Sequence, residues 1–336
     1  MEEKLHLSDQ EMIDALNDGY GIQVVSFSFL PWGADMHASL YRVEAQDRSS
    51  YFVKLKRGLK QDTSVQILAL LRDAGIEQII PPIRNIHGGL THKMQDSTII
   101  VFPFIEGKNA FGHILTNAQW VMLGKVLRCV HAFEVPPSVQ RQIRKETYSS
   151  KWREIVRDLY IHLERNTSGD EISLRLMKFM QEHKKEILRL VDRAEQLAQK
   201  IRTQSPQFVL CHSDIHGGNV LVDGKGAIYI VDWDDPIMAP KERDLMFIGG
   251  GVANVWNNPH EEDCFYEGYG KTEINRPILA YYRHERIVED VAIYGQQLLL
   301  TTTGGDARQE MYKQFVDMFD PRGVVDIAFN TDVRLI

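Results

Sequence analysis

Residues 209–235, VLCHSDIHGGNVLVDGKGAIYIVDWDD, constrain the fold of this chain more than any other segment. Three short apolar runs rich in β-branched residues, Phe208–Cys211, Val220–Val222 and Ile228–Val231, each have the length and composition of a buried strand. The turn Asp223-Gly224-Lys225-Gly226 favours a hairpin between the last two, because glycine adopts positive φ without steric cost. The sequence therefore predicts strand, polar loop, strand, tight turn and strand, followed by an acidic corner.

Side chains that can chelate a metal or accept a proton crowd the ends of these predicted strands. They are His212, Asp214, His216 and Asn219 in the loop, and Asp232, Asp234 and Asp235 at the corner. One interpretation is a zinc site built on His212-x-Asp214-x-His216, since imidazole and carboxylate bind zinc, although no second ligand cluster with metal spacing accompanies it. A polar loop with a structural role alone is a second interpretation.

A phosphoryl-transfer site is the third interpretation, and it accounts for more of these residues. Asp214 lies five residues before Asn219, and Asp232 follows a strand that is predicted to pair back beside the loop. This spacing brings one carboxylate to an attacking hydroxyl, and an amide oxygen and a second carboxylate to Mg²⁺, which prefers oxygen ligands. The protein-kinase pattern D-x-x-x-x-N followed by a metal-binding aspartate has the same logic.

The chain before residue 107 is predicted to be rich in strands. Three strand-like runs at 23–30, 38–45 and 50–55 are joined by short links, which indicates an antiparallel meander. Lys54 has apolar neighbours on the third run, so it either meets an anionic partner on a buried face or protects an edge strand against aggregation. The loop at 31–37 is either a plain hairpin connection or a flap whose N–H groups face phosphates.

The composition changes near residue 107. The segment 102–107, FPFIEG, indicates a hinge, because Pro103 cannot donate to a strand ladder. Helical patterns follow it, one of them opened by the capping box Thr116–Gln119. We therefore predict an α+β, bilobal fold with a β-rich lobe at 1–107 and a mainly helical lobe at 108–336.

Charge and cysteine content exclude several classes of protein. The net charge of −7 argues against a general nucleic-acid binder, which usually has a basic face. The three cysteines, Cys129, Cys211 and Cys264, form no CxxC pair and indicate reduced, mostly buried thiols. No apolar run approaches the roughly 20 residues of a membrane span, and the acidic start MEEKLHLSDQ is not typical of a signal peptide. We expect a cytoplasmic protein with neither a nucleic-acid nor a membrane partner.

The motifs of the central stretch resemble those of the aminoglycoside phosphotransferases, which have a protein-kinase-like fold. HSDIHGGN at 212–219 is similar to their H-G-D-x-H-x-x-N signature, IVDWD at 230–234 to I-D-W/F-D/E, and PKERDL at 240–245 to P-x-x-x-D-L. Longer runs, among them VDWDDPIMAPKERDLMFIGGG and YYRHERIVEDVAIYGQQLL, resemble the spectinomycin phosphotransferases. The resemblance implies ATP-dependent phosphorylation of an aminoglycoside or aminocyclitol, foremost the 9-hydroxyl of spectinomycin, and thus antibiotic resistance. The alternatives are a choline, homoserine or sugar kinase of the same fold, or a non-catalytic nucleotide-binding module.

The resemblance also implies roles for the residues that match. Asp214 accepts or orients the proton of the acceptor hydroxyl. Asn219 and Asp232 hold Mg²⁺ between the ATP phosphates, and His212 and Asp244 brace the catalytic loop.

Further implied contacts concern the nucleotide. Lys54 contacts the α and β phosphates under the 31–37 loop. The implied loop and hinge residues are Gly33, Ala34, Asp35, Phe102, Phe104 and Ile105. The backbone of 102–105 is expected to hydrogen-bond adenine, and the last three side chains to form its apolar walls. The helix predicted at 62–74 offers no glutamate to Lys54, so the family resemblance does not identify the acidic partner of this lysine.

The acceptor is expected to be a cationic aminocyclitol. The resemblance implies that Asp234 and Asp235 lie in the part of the chain that forms the acceptor pocket. Carboxylates there would attract such a cation, and Trp256 could stack on a sugar ring. Ser213 replaces the glycine that is usual in the family signature.

Overall fold

The computed structural model describes residues 8–31, 38–57, 63–94, 96–166, 168–302 and 304–333. The chain forms two compact units. The first unit runs to His113 and includes Glu134–Ile143 and Gly218–Asp235. The second unit comprises Ile114–Phe133, Arg144–Gly217 and Pro236–Ile336.

Strands are concentrated in the first third of the described chain and at 209–239, and helices form most of the remainder. The strands are β1 (Val24–Leu30), β2 (Ala38–Ala45), β3 (Ser50–Arg57), β4 (His92–Met94), β5 (Ser97–Pro103), β6 (Gly107–Asn109), β7 (Arg144–Lys145), β8 (Val209–Cys211), β9 (Val220–Asp223), β10 (Ile228–Ile230) and β11 (Ile237–Ala239). The helices are α1 (Asp9–Tyr20), α2 (Thr63–Asp73), α3 (Asn117–Ala132), α4 (Pro137–Gln140), α5 (Lys151–Arg165), α6 (Glu171–Glu182), α7 (Lys184–Arg202), α8 (Glu242–Leu245), α9 (Pro259–Tyr269), α10 (Arg276–Leu300), α11 (Asp306–Asp317) and α12 (Val324–Val333).

An antiparallel sheet with the strand order β1-β2-β3-β5-β4 forms the centre of the first unit. Its first three strands confirm the predicted meander. Lys54 lies on β3 between Leu40 of β2 and Ile100 of β5, so it is on an interior strand and the edge-strand interpretation is wrong. α1, which a capping box of Ser8 and Glu11 opens, packs Leu16 into the core of the same unit.

A second, three-stranded sheet of the first unit contains the predicted hairpin. β9 and β10 pair antiparallel with Val222 opposite Ile228, and β6 pairs with the other edge of β9. Gly107 of β6 comes so close to β9 that an added Cβ would lie 2.3 Å from the Val222 carbonyl oxygen. Because β6 follows directly on the segment predicted as a hinge, its pairing joins the hairpin to the first unit, whereas the sequence placed this hairpin in the helical lobe.

Helices dominate the second unit. α10 is 25 residues long and contributes Val288 and Val291 to a core that it shares with α5, α6, α7, α11 and α12. α6 ends and α7 begins on either side of His183. A small sheet in the order β7-β11-β8 fixes β8, the strand that leads into the polar loop.

The cysteines are reduced, and two of the three are buried. Cys129 is exposed, whereas Cys211 and Cys264 are enclosed. No helix in the described part of the chain combines the length and the apolar character needed to cross a membrane.

Candidate active site

Two lysines and two aspartates of the first unit form a compact charged group, here called the lysine–aspartate cluster: Lys54, Lys56, Asp232 and Asp234. Lys54 Nζ donates to Asp234 Oδ2 and lies 3.8 Å from Asp232 Oδ1. Lys56 Nζ lies 3.2 Å from Asp234 Oδ1. The Lys54 side chain is only 11% exposed, and the cluster supplies the anionic partner that a lysine on an interior strand requires.

The charges of the two lysines control the ionisation of Asp234. Burial alone raises the pKa of this carboxyl, but the charges of Lys54 and Lys56 and their hydrogen bonds outweigh burial and lower it. Asp234 was predicted to contact the cationic acceptor. The structure places its carboxylate against two cations of its own unit, where it balances their charge, and the acceptor contact stays a prediction.

The two predicted metal ligands flank two neighbouring strands of the first unit, Asn219 directly before β9 and Asp232 after β10. Asn219 ends the short turn before β9, and its carbonyl accepts a hydrogen bond of 3.0 Å from the Val231 N–H, next to Asp232. Asp232 has a φ of +60°, in the left-handed region that is rare for residues other than glycine and that recurs at functional sites. An amide oxygen and a half-exposed carboxylate are a donor set that suits Mg²⁺.

Asp214, the predicted base, lies in the second unit in the loop after β8. Arg286 of α10 donates from Nη1 to Asp214 Oδ1 at 2.6 Å, and His216 Nε2 lies 3.4 Å from Asp214 Oδ2. Burial alone raises the pKa of Asp214, but the His216 hydrogen bond and the charge of Arg286 more than reverse this, so the pKa lies well below the ordinary carboxyl range. Asp214 is therefore a carboxylate at neutral pH.

Asp244 holds the backbone of the loop that carries Asp214. Its carboxylate accepts from the N–H groups of His212 at 2.9 Å and Ser213 at 2.7 Å, and it lies 3.0 Å from His131 Nε2. The His212 ring in turn accepts from the Asp214 N–H through Nδ1 at 3.2 Å. These contacts are what the predicted bracing roles of His212 and Asp244 require.

The zinc interpretation finds no support in this described loop. Among the described residues, the ligand atoms that lie within 4.8 Å of one another in a group of three belong to His131, Cys211 and Asp244, and not to His212, Asp214 and His216. The buried atoms of that group already have protein partners, including the Tyr269 hydroxyl on His131 Nδ1.

Residues 28–277 match the model of a phosphotransferase enzyme family, APH. The chain belongs to this family. Its α+β, protein-kinase-like fold is confirmed by the family's solved structures, which share it.

Comparison with solved structures places one member of the family near this chain. A spectinomycin phosphotransferase, APH(9)-Ia, crystallised with ADP and spectinomycin, is 48% identical, with a TM-score of 0.91 over 97% of this chain and 99% of that one. Its AMP-bound complex is 47% identical with a TM-score of 0.87 over the same shares. An amicoumacin kinase, at 17% identity and a TM-score of 0.60, shares the fold.

A curated relative is similar over a shorter span. Protein StrN of Streptomyces griseus is 28% identical over 191 residues. The matched region covers 53% of this chain and 57% of the length of that protein.

The departure of this phosphotransferase from the family signature has a visible conformational cost. Ser213, which stands where the signature has glycine, has a φ of +77°. A β-carbon in this region of φ/ψ space is unfavourable, and glycine avoids the penalty. The Asp244 carboxylate on the Ser213 N–H is one of the contacts that fix this conformation.

The structure describes the predicted nucleotide contacts at the hinge but not those at the flap. Phe102 lies opposite Phe52 in the main sheet, and the Phe104 N–H donates to the Ser50 carbonyl at 3.0 Å. That amide is thus already engaged within the sheet, whereas the partly exposed side chains of Phe102, Phe104 and Ile105 fit apolar walls. The predicted flap residues Gly33, Ala34 and Asp35 lie outside the described residues.

The predicted acceptor contacts Asp235 and Trp256 differ in exposure. Asp235 is exposed at the end of the first unit's last segment. Trp256 is 7% exposed, and its ring packs edge-on against Trp120 at 5.0 Å between centroids. A packing partner inside the protein leaves Trp256 little ring face for a sugar, and stacking by Trp256 stays a prediction.

The sequence did not point to Arg286 or His131. Arg286 lies inside a long helical run without a motif of its own. Asp290, four residues later, is the one signal, because the i,i+4 spacing puts the pair on one helix face. His131 near the end of α3 gave no local signal, because both of its partners, Asp244 and Tyr269, come from distant segments.

Proposed function

We propose that this phosphotransferase transfers the γ-phosphoryl group of ATP to a hydroxyl of spectinomycin, the 9-hydroxyl, and so inactivates the antibiotic. The observation that carries the proposal is the 48% identity, over almost the whole of both chains, to an enzyme crystallised with ADP and spectinomycin. The polar residues that such a reaction needs, Lys54, Asp214, Asn219 and Asp232, are all present.

The first unit supplies the groups for the phosphates. Lys54 neutralises charge on the α and β phosphates, and its pairing with Asp234 sets the direction of the ammonium before the nucleotide binds. Asn219 and Asp232 are the residues that would hold Mg²⁺, which when bound neutralises charge on the phosphate oxygens. The side chains of Phe102, Phe104 and Ile105 would line the adenine site.

Asp214 serves the acceptor hydroxyl. The hydroxyl oxygen attacks the γ-phosphorus, the bond from that phosphorus to the bridging oxygen of ADP breaks, and the hydroxyl proton goes to the Asp214 carboxylate. A carboxylate with so low a pKa is a weak base, so its main contribution is to orient the hydroxyl and to take the proton as the new P–O bond forms.

The acidic charge of the chain supports a cationic acceptor. Spectinomycin carries amines that are cationic at neutral pH, which agrees with an acidic chain of net charge −7 and an exposed carboxylate at Asp235. We propose a small cationic aminocyclitol as the only ligand class besides the nucleotide, with neither nucleic acid nor membrane. The reaction is placed in the cytoplasm, where ATP is available.

A coupled assay of ADP release tests the function. The acceptors are spectinomycin, other aminoglycosides, choline and homoserine, and we expect Mg·ATP turnover with spectinomycin alone. Asp214→Asn should lower kcat by about 10²–10⁴-fold, the usual contribution of acid–base catalysis. Asp158→Asn, a change of the same kind at an exposed position of α5, is the matched control and should turn over like the wild type.

The alternatives give distinct outcomes. Turnover with choline or homoserine but not with spectinomycin would replace the proposed acceptor and keep the reaction. Tight ATP binding without turnover of any acceptor would make the chain a non-catalytic nucleotide-binding module.

A further inference from the structure

A guanidinium from a distant helix is fixed against the predicted base. Arg286 lies in α10, 72 residues after Asp214 in the sequence, and its side chain is 17% exposed. Nη1 donates to Asp214 Oδ1 at 2.6 Å, while Nε of the same group donates to Asp290 Oδ1 at 3.1 Å and Oδ2 at 3.3 Å. The guanidinium is planar, so Asp290 at one edge determines where the other edge points.

The carboxylate of Asp214 is held from more than one side. Arg286 engages Oδ1, and His216 Nε2 lies 3.4 Å from Oδ2. The Asp214 N–H is bound to His212, so the backbone is anchored as well. Rotation of the carboxylate about its Cβ–Cγ bond would break both contacts, and the 2.6 Å contact with Arg286 is the shorter one, so Arg286 constrains the carboxylate plane more strongly than His216.

The charges around Arg286 stabilise its cationic form. Burial alone lowers the pKa of Arg286, but Asp290, Asp214 and Glu289 reverse this and raise it. The guanidinium therefore sits as a permanent cation between two carboxylates. A charge-assisted hydrogen bond of 2.6 Å in partly enclosed surroundings is among the stronger polar contacts in proteins.

We propose that Arg286 is a positioning residue for phosphoryl transfer, which directs the Asp214 carboxylate at the acceptor hydroxyl through the fork that it shares with Asp290. The inference rests on the proposed function for the reaction itself. Its structural half, the control of Asp214 by Arg286, is independent of the identity of the acceptor.

Steady-state kinetics of Arg286→Gln test the proposal. With the fork lost, kcat should fall by about 10- to 100-fold, as expected when a reacting group is misplaced by about 1 Å, while KM for Mg·ATP stays within about twofold. An acid limb of the kcat–pH profile should appear at higher pH than in the wild type, because loss of an adjacent cation raises a carboxyl pKa by about one unit or more. Arg286→Lys keeps the charge without the fork and should restore the acid limb but only part of kcat.

Two further variants separate positioning from folding. The double variant Arg286→Gln with Asp290→Asn removes both buried charges together. It should therefore fold even if Arg286→Gln alone, which leaves Asp290 without its partner, does not. Arg308→Gln is the matched control. Arg308 lies in α11 of the same unit, is also a buried arginine, and pairs with Asp170. It should lower stability without moving the acid limb or kcat of the folded enzyme.

A measurement without turnover keeps the proposal separate from the proposed function. Carbon-13 NMR of protein labelled at the aspartate carboxyls, with Asp214→Asn to assign the signal, should show Asp214 titrating at higher pH in Arg286→Gln than in the wild type. An unchanged Asp214 titration, or a rise in KM for ATP with kcat intact, would overturn the proposal. Wild-type protein that phosphorylates no acceptor would instead refute the proposed function while the titration still judges the contact.

Discussion

The ammonium of Lys54 is paired with Asp234, two residues beyond the predicted metal ligand Asp232, and not with a residue of α2. In protein kinases the corresponding lysine pairs with a glutamate of a helix that follows it in the sequence. α2 reads TSVQILALLRD and offers no glutamate. The carboxylate partner therefore comes from the segment after β10, and Lys56 binds its second oxygen.

Replacement of Asp234 should weaken nucleotide binding. Asp234→Asn removes the charge that positions Lys54, so KM for Mg·ATP should rise by about 10-fold, near the 1.4 kcal/mol of a charge-assisted hydrogen bond, with a smaller change in kcat. Steady-state kinetics at saturating spectinomycin measure both constants. Lys56→Met, which leaves Lys54 and Asp234 paired, is the control and should have the milder effect.

A different outcome for Asp234 would restore its sequence-based assignment. If Asp234→Asn raised KM for spectinomycin and left KM for ATP unchanged, the carboxylate would be an acceptor contact. The lysine pairing would then be a resting arrangement without influence on nucleotide affinity.

Ser213→Gly should relieve backbone strain. The left-handed conformation costs a residue with a β-carbon about 1–2 kcal/mol, and the extra freedom of glycine in the unfolded chain returns about 0.5–1 kcal/mol of this. The free energy of unfolding should rise by up to about 1 kcal/mol, measured by urea denaturation. Ser213→Ala keeps the β-carbon and should give no such gain. Equal stabilities of the glycine and alanine variants would contradict the strain.

Asp244 should make stability depend on acid pH. Burial raises the pKa of this carboxyl, but His131 and the loop N–H groups lower it further than that, so the native protein keeps Asp244 ionised where the unfolded chain takes up a proton. Its contribution is present above an unfolded pKa of about 3.9 and is lost as the pH falls below that value. Asp244→Asn should cost about 3 kcal/mol at pH 7, and this difference should shrink toward pH 3.

Tyr269→Phe is the control for the acid dependence. It removes the hydroxyl that lies 2.7 Å from His131 Nδ1 and leaves the Asp244 carboxylate in place. We expect a loss of about 1 kcal/mol at pH 7 and the same decline toward pH 3 as in the wild type. Urea denaturation between pH 7 and pH 3 measures all three proteins, and a constant difference between wild type and Asp244→Asn would contradict the ionised brace.

The native protein should expose one reactive thiol. Cys129 is exposed on α3, whereas Cys211 is enclosed and its pKa is raised, first by burial and then by the nearby Asp244 charge. Titration with a thiol reagent should label one site per chain, and Cys129→Ser should abolish this labelling. Labelling of Cys211 or Cys264 before denaturant is added would contradict their burial.

Local sequence patterns predicted what depends on near neighbours. The capping box of Thr116, the meander and the β9–β10 hairpin are all decided within a few residues, and each is confirmed. The partners of Lys54 and Asp214 were not predictable in the same way. Asp234 lies 180 residues from Lys54, and Arg286 lies 72 residues from Asp214, so only the folded arrangement of strands and helices brings them together.

The hairpin's membership of the first unit shows a second limit. The helical composition after residue 107 indicated one boundary, but β6 pairs with β9 across more than a hundred residues of chain. The strand β6 is three residues long and has no apolar periodicity, so the sequence does not predict its pairing with β9.

The pairing of Lys54 with the segment that carries Asp232 bears on inhibitor design. Many protein kinases have an inactive state in which the helix bearing the glutamate moves and breaks the lysine contact, and compounds can be selected for that state. Here the lysine's counterion and the predicted metal ligand are two residues apart, so a displacement of this segment would disturb the Lys54 pairing and the predicted metal ligand together. A compound that displaces α2 should leave the Lys54 pairing in place, so we expect selective inhibitors to compete directly for the nucleotide or the acceptor.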